Sequence, residues 1–450
     1  MSVSTTEAQK DLIFRSAGVL SDLFVKIAAN SVAATSTFTL RKNAGDLTQV
    51  LSVGSSATGN FEDTTHTDTI AAADKITLKT HPGAASGTYQ LSIISIIFAA
   101  TTDTVTKLSS TGFTTTTAST TFYQNLHGST TAQTVEADVK CRMRKAGTLK
   151  NMAVYVSTNR AQTSTVRTRK NGTTDGNLVV SITGGAGAGW FEDTSNSDTV
   201  SVADDWYTSI LTGTGVDTLT CQSVSTEFVS TNGDGMMMTS IDAGVAFTDN
   251  TTNFLPLSGR LLSNATEAGA AGVSMVAQAA FDCLELTCLV SQNDCSTGGT
   301  LTLRKGAADT TLICSITGNT TGVFSDSTHT ATLAATDLIN LKMVVPAVAG
   351  THTVTLKNTV MTTHITANQN LTRSLSTETT TIGETLARVF GANRALGTET
   401  TTIGETMAIR QVLNRPLPET TTIGEALTRL LAANRSLSTE TTTISESPAL

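Results

Sequence analysis

Six acidic residues in two matching phrases are the clearest candidates for chemistry in this sequence. "FEDTTHTDTIAAAD" at 61–74 carries Glu62, Asp63 and Asp68, and "FEDTSNSDTVSVAD" at 191–204 carries Glu192, Asp193 and Asp198. Such groups of carboxylates supply hard oxygen donors, the ligands that calcium takes. Their spacing does not follow a regular calcium loop, so a second reading stands beside the first: the acids cap the loop by accepting backbone N–H groups, and the aromatic at the head of each phrase fills a core position. A third phrase, "FSDSTHTATLAATD" at 324–337, keeps only Asp326 soon after its Phe324 and weakens any ligand role there.

Other chemistry finds less support. Glu192 and Asp193 are adjacent, so on a strand they face opposite sides and cannot flank one glycosidic bond. The histidines at 66, 81, 127, 329, 352 and 364 have no ligand-set spacing, and no nucleophile elbow, phosphate loop or HExxH helix occurs. The expectation is a protein that is not an enzyme and that holds no cofactor beyond the calcium reading. A net charge of −8 without a basic run speaks against nucleic acid as a partner. No apolar stretch approaches the ~20 residues of a membrane-spanning helix. Cys288 and Cys314 stand where the other repeats place aliphatic residues, so both are expected as core thiols, while a bridge between Cys283 and Cys295 stays open.

The elements that must position these acids come from a long repeat. Glu7, Glu136 and Glu267 fall in register, as do Asn30, Asn159 and Asn293, and the pairs Arg41/Lys42, Arg169/Lys170 and Arg304/Lys305. The period of about 130 residues is one domain. Within each copy, apolar residues alternate: Leu23, Val25 and Ile27, then Met152, Val154 and Val156, then Leu286, Cys288 and Val290. Period two means strands with one face inward. Asp74, Asp204 and Asp337 end a further strand as turn residues. Short strands bounded by Gly, Asn and Asp predict an all-β chain of tandem antiparallel sandwiches. The expected divisions are 1–103, 104–232, 233–367 and 368–450.

The order of "RTRKNG", "GWFEDTSNSDTV" and a strand ended by Asp resembles the jelly-roll modules found in tandem in virion, tail-fibre and spike proteins of phages and archaeal viruses. That resemblance spans about residues 1–365 and implies three jelly-roll-like sandwiches in a structural virion component on a virion or extracellular surface. Its partners would be other copies, other virion or surface proteins, and a host glycan or protein met by loops at the sandwich ends. The N-terminal "MSVSTTEAQKDLIFRSAGVL" shows no export signal, which agrees with release by assembly or lysis. A cellular surface adhesin or sheath protein is the alternative. An array of carbohydrate-binding modules is a weaker one, because Trp190, Trp206 and four Tyr are few aromatics for sugar stacking.

Beyond residue 370 a 20–21-residue unit begins at Arg373, Arg394, Arg415 and Arg435. Its Thr-rich half is expected to be extended. Thr381/Glu384, Thr402/Glu405 and Thr422/Glu425 have capping-box spacing ahead of apolar triplets such as Leu427, Leu430 and Leu431, which predicts short helices. A unit this short cannot bury its own face, so it must stack along the chain or between chains, as a fibrous stalk. The segment resembles Thr/Ser-rich repeats in surface and viral proteins of ammonia-oxidising archaea. Finally, "TTFYQNLHG" precedes Glu136 and "TTNFLPLSG" precedes Glu267, with no counterpart before Glu7. If these segments are edge strands of the modules they precede, the first module exposes an edge on which another chain can dock; if instead each closes the module before it, that joint does not exist.

Overall fold

The computed structural model describes residues 6–101, 104–267 and 272–364, and the strands at 379–382, 400–403, 421–423 and 442–444. The first repeat contains β1 (Leu12–Ile13), β2 (Gly18–Asn30), β3 (Ser36–Lys42), β4 (Gly45–Val53), β5 (Gly59–Ile70), β6 (Lys75–His81) and β7 (Tyr89–Ala100). The second contains β8 (Val105–Thr115), β9 (Thr121–Gln124), β10 (Cys141–Arg142), β11 (Gly147–Thr158), β12 (Ser164–Lys170), β13 (Thr174–Ile182), β14 (Gly189–Val200), β15 (Asp205–Leu211) and β16 (Leu219–Ser230). In the third are β17 (Asp234–Thr248), β18 (Thr251–Leu255), β19 (Gly259–Arg260), β20 (Met275–Val276), β21 (Phe281–Asn293), β22 (Gly299–Lys305), β23 (Ala308–Ile316), β24 (Gly322–Asp326), β25 (Ala331–Leu333), β26 (Leu338–Val345) and β27 (Thr353–His364).

Strand order identifies each unit. The second repeat pairs its strands as β8-β16-β11-β14 in one sheet and β10-β15-β12-β13 in the other, with β9 also on β15. Lettered B to I along the chain, with β9 and β10 sharing C, these are the B-I-D-G and C-H-E-F sheets of an eight-stranded jelly roll. The third repeat does the same, with β17-β27-β21-β24 and β18-β26-β22-β23, β20 joining β26 and β25 joining β21. The first repeat has β1-β6-β3-β4 against a sheet of only β5-β2-β7. Among the described residues it has no strand in the B position. The segment "TTFYQ" belongs to the second jelly roll, since Thr121 to Gln124 pair with Leu211 to Thr208.

Alternation places the expected residues inside. Leu23, Val25, Ile27, Met152, Val154, Val156, Leu286, Cys288 and Val290 are all at most 1% exposed. The opposite faces were expected at the surface, yet Phe24, Lys26, Ala153, Tyr155, Thr287 and Leu289 are buried as well. The reason is packing between sandwiches: Phe24 of the first joins the core of the third, and Met236, Met238 and Val360 of the third join the core of the second. The sandwiches are therefore interlocked rather than independent beads.

The C-terminal strands β28 (Thr379–Ile382), β29 (Thr400–Ile403), β30 (Thr421–Ile423) and β31 (Thr442–Ile444) form a parallel sheet in that order. Equivalent residues pair, Ile382 with Ile403, Ile403 with Ile423 and Ile423 with Ile444, so the repeats stack along the chain. The capping-box reading needs correction at its start. Thr381, Thr402 and Thr422, with the Ile that follows each, lie in strands, because β-branched residues favour the extended pairing over a helical first turn. The apolar triplets that follow fall outside the described residues.

Candidate functional site: carboxylate corners and the joints between sandwiches

Each acidic phrase is a wired corner. Asp63 sits in β5 opposite Leu23, and its Oδ2 accepts the Val50 N–H of β4 at 3.0 Å. Its Oδ1 accepts the N–H groups of Thr65 and His66, both at 3.2 Å, and the Thr65 hydroxyl at 3.1 Å. Asp193 takes Val179 N–H at 2.9 Å and Asn196 N–H at 3.0 Å; Asp326 takes Ile313 N–H at 2.8 Å and Thr328 N–H at 3.1 Å. Burial opposes ionisation of these acids, but the donors outweigh it: Asp63 and Asp326 are held down at about 2, and Asp193 is lowered too. A side chain three residues on completes each corner, with Nδ1 of His66 at 2.9 Å, Nδ2 of Asn196 at 3.0 Å and Nδ1 of His329 at 3.0 Å from the carboxylate. The spacing of those histidines along the sequence gives them no role as a ligand set. Their half-exposed rings nevertheless do the work that Asn196 does with its amide.

The other candidate calcium ligands are dispersed. Asp68 accepts Thr48 N–H at 3.0 Å and Gln49 N–H at 3.2 Å; Asp198 accepts Asn177 N–H at 2.6 Å and the Thr168 hydroxyl. Glu62 points to the other side of β5, where burial and the neighbouring Asp22 raise its pKa. Glu192 pairs with Arg15 of the first sandwich. Among the described residues no three His, Cys, Asp or Glu side chains converge as a metal set. Where Asp68 and Asp198 stand, the third repeat has Ala331, and there the long strand is split into β24 and β25.

The closing Asp behaves as a turn residue. Ala71 N–H donates to Asp74 at 2.7 Å, Ser201 N–H to Asp204 at 2.8 Å and Ala334 N–H to Asp337 at 2.6 Å. The preceding residues, Ala73, Ala203 and Thr336, have φ of 77°, 69° and 76°. Just upstream of each D strand, Phe14, Met143 and Ala277 donate their N–H to the carbonyls of these same Asp residues.

The next residue in each copy builds the joints. Arg15 donates its backbone N–H to Glu227 of the second sandwich at 2.8 Å, and Asn151 Nδ2 reaches the same carboxylate at 2.8 Å. Arg144, the equivalent in the second sandwich, donates to Glu285 of the third at 2.7 Å. Gln278, the equivalent in the third, donates to the Asp22 carbonyl of the first at 2.5 Å. Asp22, Asn151 and Glu285 occupy the same bulged site at which the D strand shifts register. One kind of contact thus runs from first to second, second to third, and third back to first. Lys26 adds a buried ammonium donating to the Ser274 carbonyl at 2.9 Å, and burial lowers its pKa.

No family model matches the sequence, and no curated protein matches it. Among the solved structures that are similar in part are the following two. One is described as the triple jelly roll fold and turret assembly in an archaeal virus, with 13% identity, 80% of this chain and 81% of that chain covered, and a TM-score of 0.19. The other is the atomic structure of Sulfolobus Turreted Icosahedral Virus, with 12% identity, the same coverage of 80% and 81%, and a TM-score of 0.18. The jelly-roll assignment rests on the strand order of this chain itself.

Proposed function

We propose that the chain is a structural component of a virion, a tail-fibre, spike or capsid-surface element that associates with further copies of itself. The observation that carries this reading is the edge strand β7. It runs for twelve residues as "YQLSIISIIFAA", without a charge or a proline, and pairs on one side with β2. The equivalent strands β16 and β27 are each covered by a B strand, β8 or β17. Edges that must stay free are guarded by charge, proline or a bulge; β7 has no charge or proline, and its one extra residue against β2, Ser92, leaves the run from Ile93 to Ala100 without a guard of its own. Its Leu91, Ile94, Ile96 and Phe98 are only partly buried, unlike most of β16 and β27.

Two copies of β7 running antiparallel would extend the sheet about a twofold axis, and no like charges would meet. The stacked C-terminal repeats supply a second, fibrous route to association. Loops at the sandwich ends would meet a host glycan or protein. Electron microscopy of source material labelled with antibodies to the chain tests this role. Label on virus particles is the expected result; label confined to cell envelopes would instead support the adhesin reading and overturn this one.

A further inference from the structure

We propose that Cys288 and Cys314 are a covalent modification site, an intersheet disulfide that staples the third jelly roll. Their sulfurs lie 3.6 Å apart, and both residues are 0% exposed. Cys288 is on β21, in the sheet with β24 and β27, whereas Cys314 is on β23, in the opposite sheet beside β22. The bond would therefore cross the core and tie the two sheets together. At the same places the first sandwich has Val25 and Leu51, and the second has Val154 and Val180, all of them core residues. Two thiols fill less of that space than two aliphatic side chains, and their sulfurs already stand in van der Waals contact across it.

The remaining cysteines lack such a pairing: Cys141 Sγ contacts the side-chain Oδ1 of Asn125 at 3.3 Å, and Cys295 Sγ contacts the Thr297 hydroxyl at 3.3 Å. The cross-link forms by thiol–disulfide exchange with a small-molecule disulfide such as oxidised glutathione. One thiolate attacks it to give a mixed disulfide and releases one glutathione thiolate. The second cysteine thiolate then displaces the other, so that one protein S–S bond forms, two protons leave the cysteines and the oxidant takes the two electrons. Exchange occurs while the sheets are still open in folding. Once closed, the core hides both sulfurs from an external thiolate, so the bond is shielded from exchange back. The 26-residue separation means that the bond restricts a long loop of the unfolded chain.

The test uses the full chain expressed in cells with an oxidising cytoplasm, unfolded in guanidinium with iodoacetamide and no reductant, beside a fully reduced control. The expected intact mass carries two fewer alkyl groups than the control, with one linked peptide pair containing Cys288 and Cys314. Reduction should lower the melting temperature by roughly 5 °C. The double variant Cys288→Val and Cys314→Val, which copies the second sandwich, should alkylate at every remaining cysteine and melt alike with and without reductant. Complete alkylation of the unsubstituted chain, or linked peptides joining other cysteines, would overturn the assignment.

Discussion

Arg169 donates to Glu136 at 2.8 Å, and the same latch recurs as Arg41 with Glu7 at 3.0 Å and Arg304 with Glu267 at 2.7 Å. In every copy a residue ahead of the C–D region is tied to the E strand. Arg304 grips Glu267 with two parallel N–H groups, the second at 2.8 Å, the geometry that makes Arg–carboxylate pairs strong. Glu267→Ala should cost about 1–2 kcal/mol in guanidinium unfolding, and Glu7→Ala, whose partners are more exposed, about 0.5 kcal/mol.

The corner acids should be worth more than surface carboxylates. Asp326→Ala strands the Ile313, Thr328 and His329 N–H groups, so a loss of about 2–3 kcal/mol is expected. Asp326→Asn keeps one acceptor and should lose less. Equal loss in both variants would argue against the wiring described.

Acid sensitivity follows from the same acids. Asp63 and Asp326 titrate at about 2 when folded, below the ordinary carboxylate range near ~4, so their contribution is present above that range and disappears as pH falls through the folded value. The denaturation midpoint should hold steady from about pH 7 to 5 and drop between about pH 4 and 2. The double variant Asp63→Asn and Asp326→Asn should show a shallower fall.

The joint at Glu227 is the most exacting contact between sandwiches. It is 0% exposed, accepts from Arg15, Ser16 and Asn151, and lies 3.7 Å from Lys107. Glu227→Ala leaves buried donors and a cation unpaired, and a cost of about 3–5 kcal/mol is expected. Calorimetry should then resolve the first sandwich melting ahead of the other two.

Calcium should not matter to this stability. The oxygens of Asp63, Asp68, Asp193 and Asp198 already accept backbone or side-chain donors, so adding calcium or a chelator should leave the melting temperature unchanged.

Alternation at Leu23, Val25 and Ile27 was enough to read the sandwiches from sequence, because period two is a local property of the chain. The threefold recurrence of Phe61, Asp63 and Asp74 likewise marked the corners. What local pattern could not carry was contact across modules. Arg15 and Glu227 are 212 residues apart, and Lys26 and Ser274 are 248 apart. Nothing in the alternation of Phe24 and Lys26 says that a neighbouring sandwich covers them. The His66 and Asn196 equivalence was hidden for another reason: an imidazole and an amide share little in sequence terms, yet each places a nitrogen donor at the same carboxylate.

The most direct measurement of the central claim is the solution mass of the full chain by light scattering. The account predicts a multiple of the 46.7 kDa chain mass, reduced by Gln90→Lys with Ala99→Lys, which set charges on exposed sites of β7. A mass of 46.7 kDa for the unsubstituted chain, unchanged by those lysines across micromolar concentrations, would contradict it.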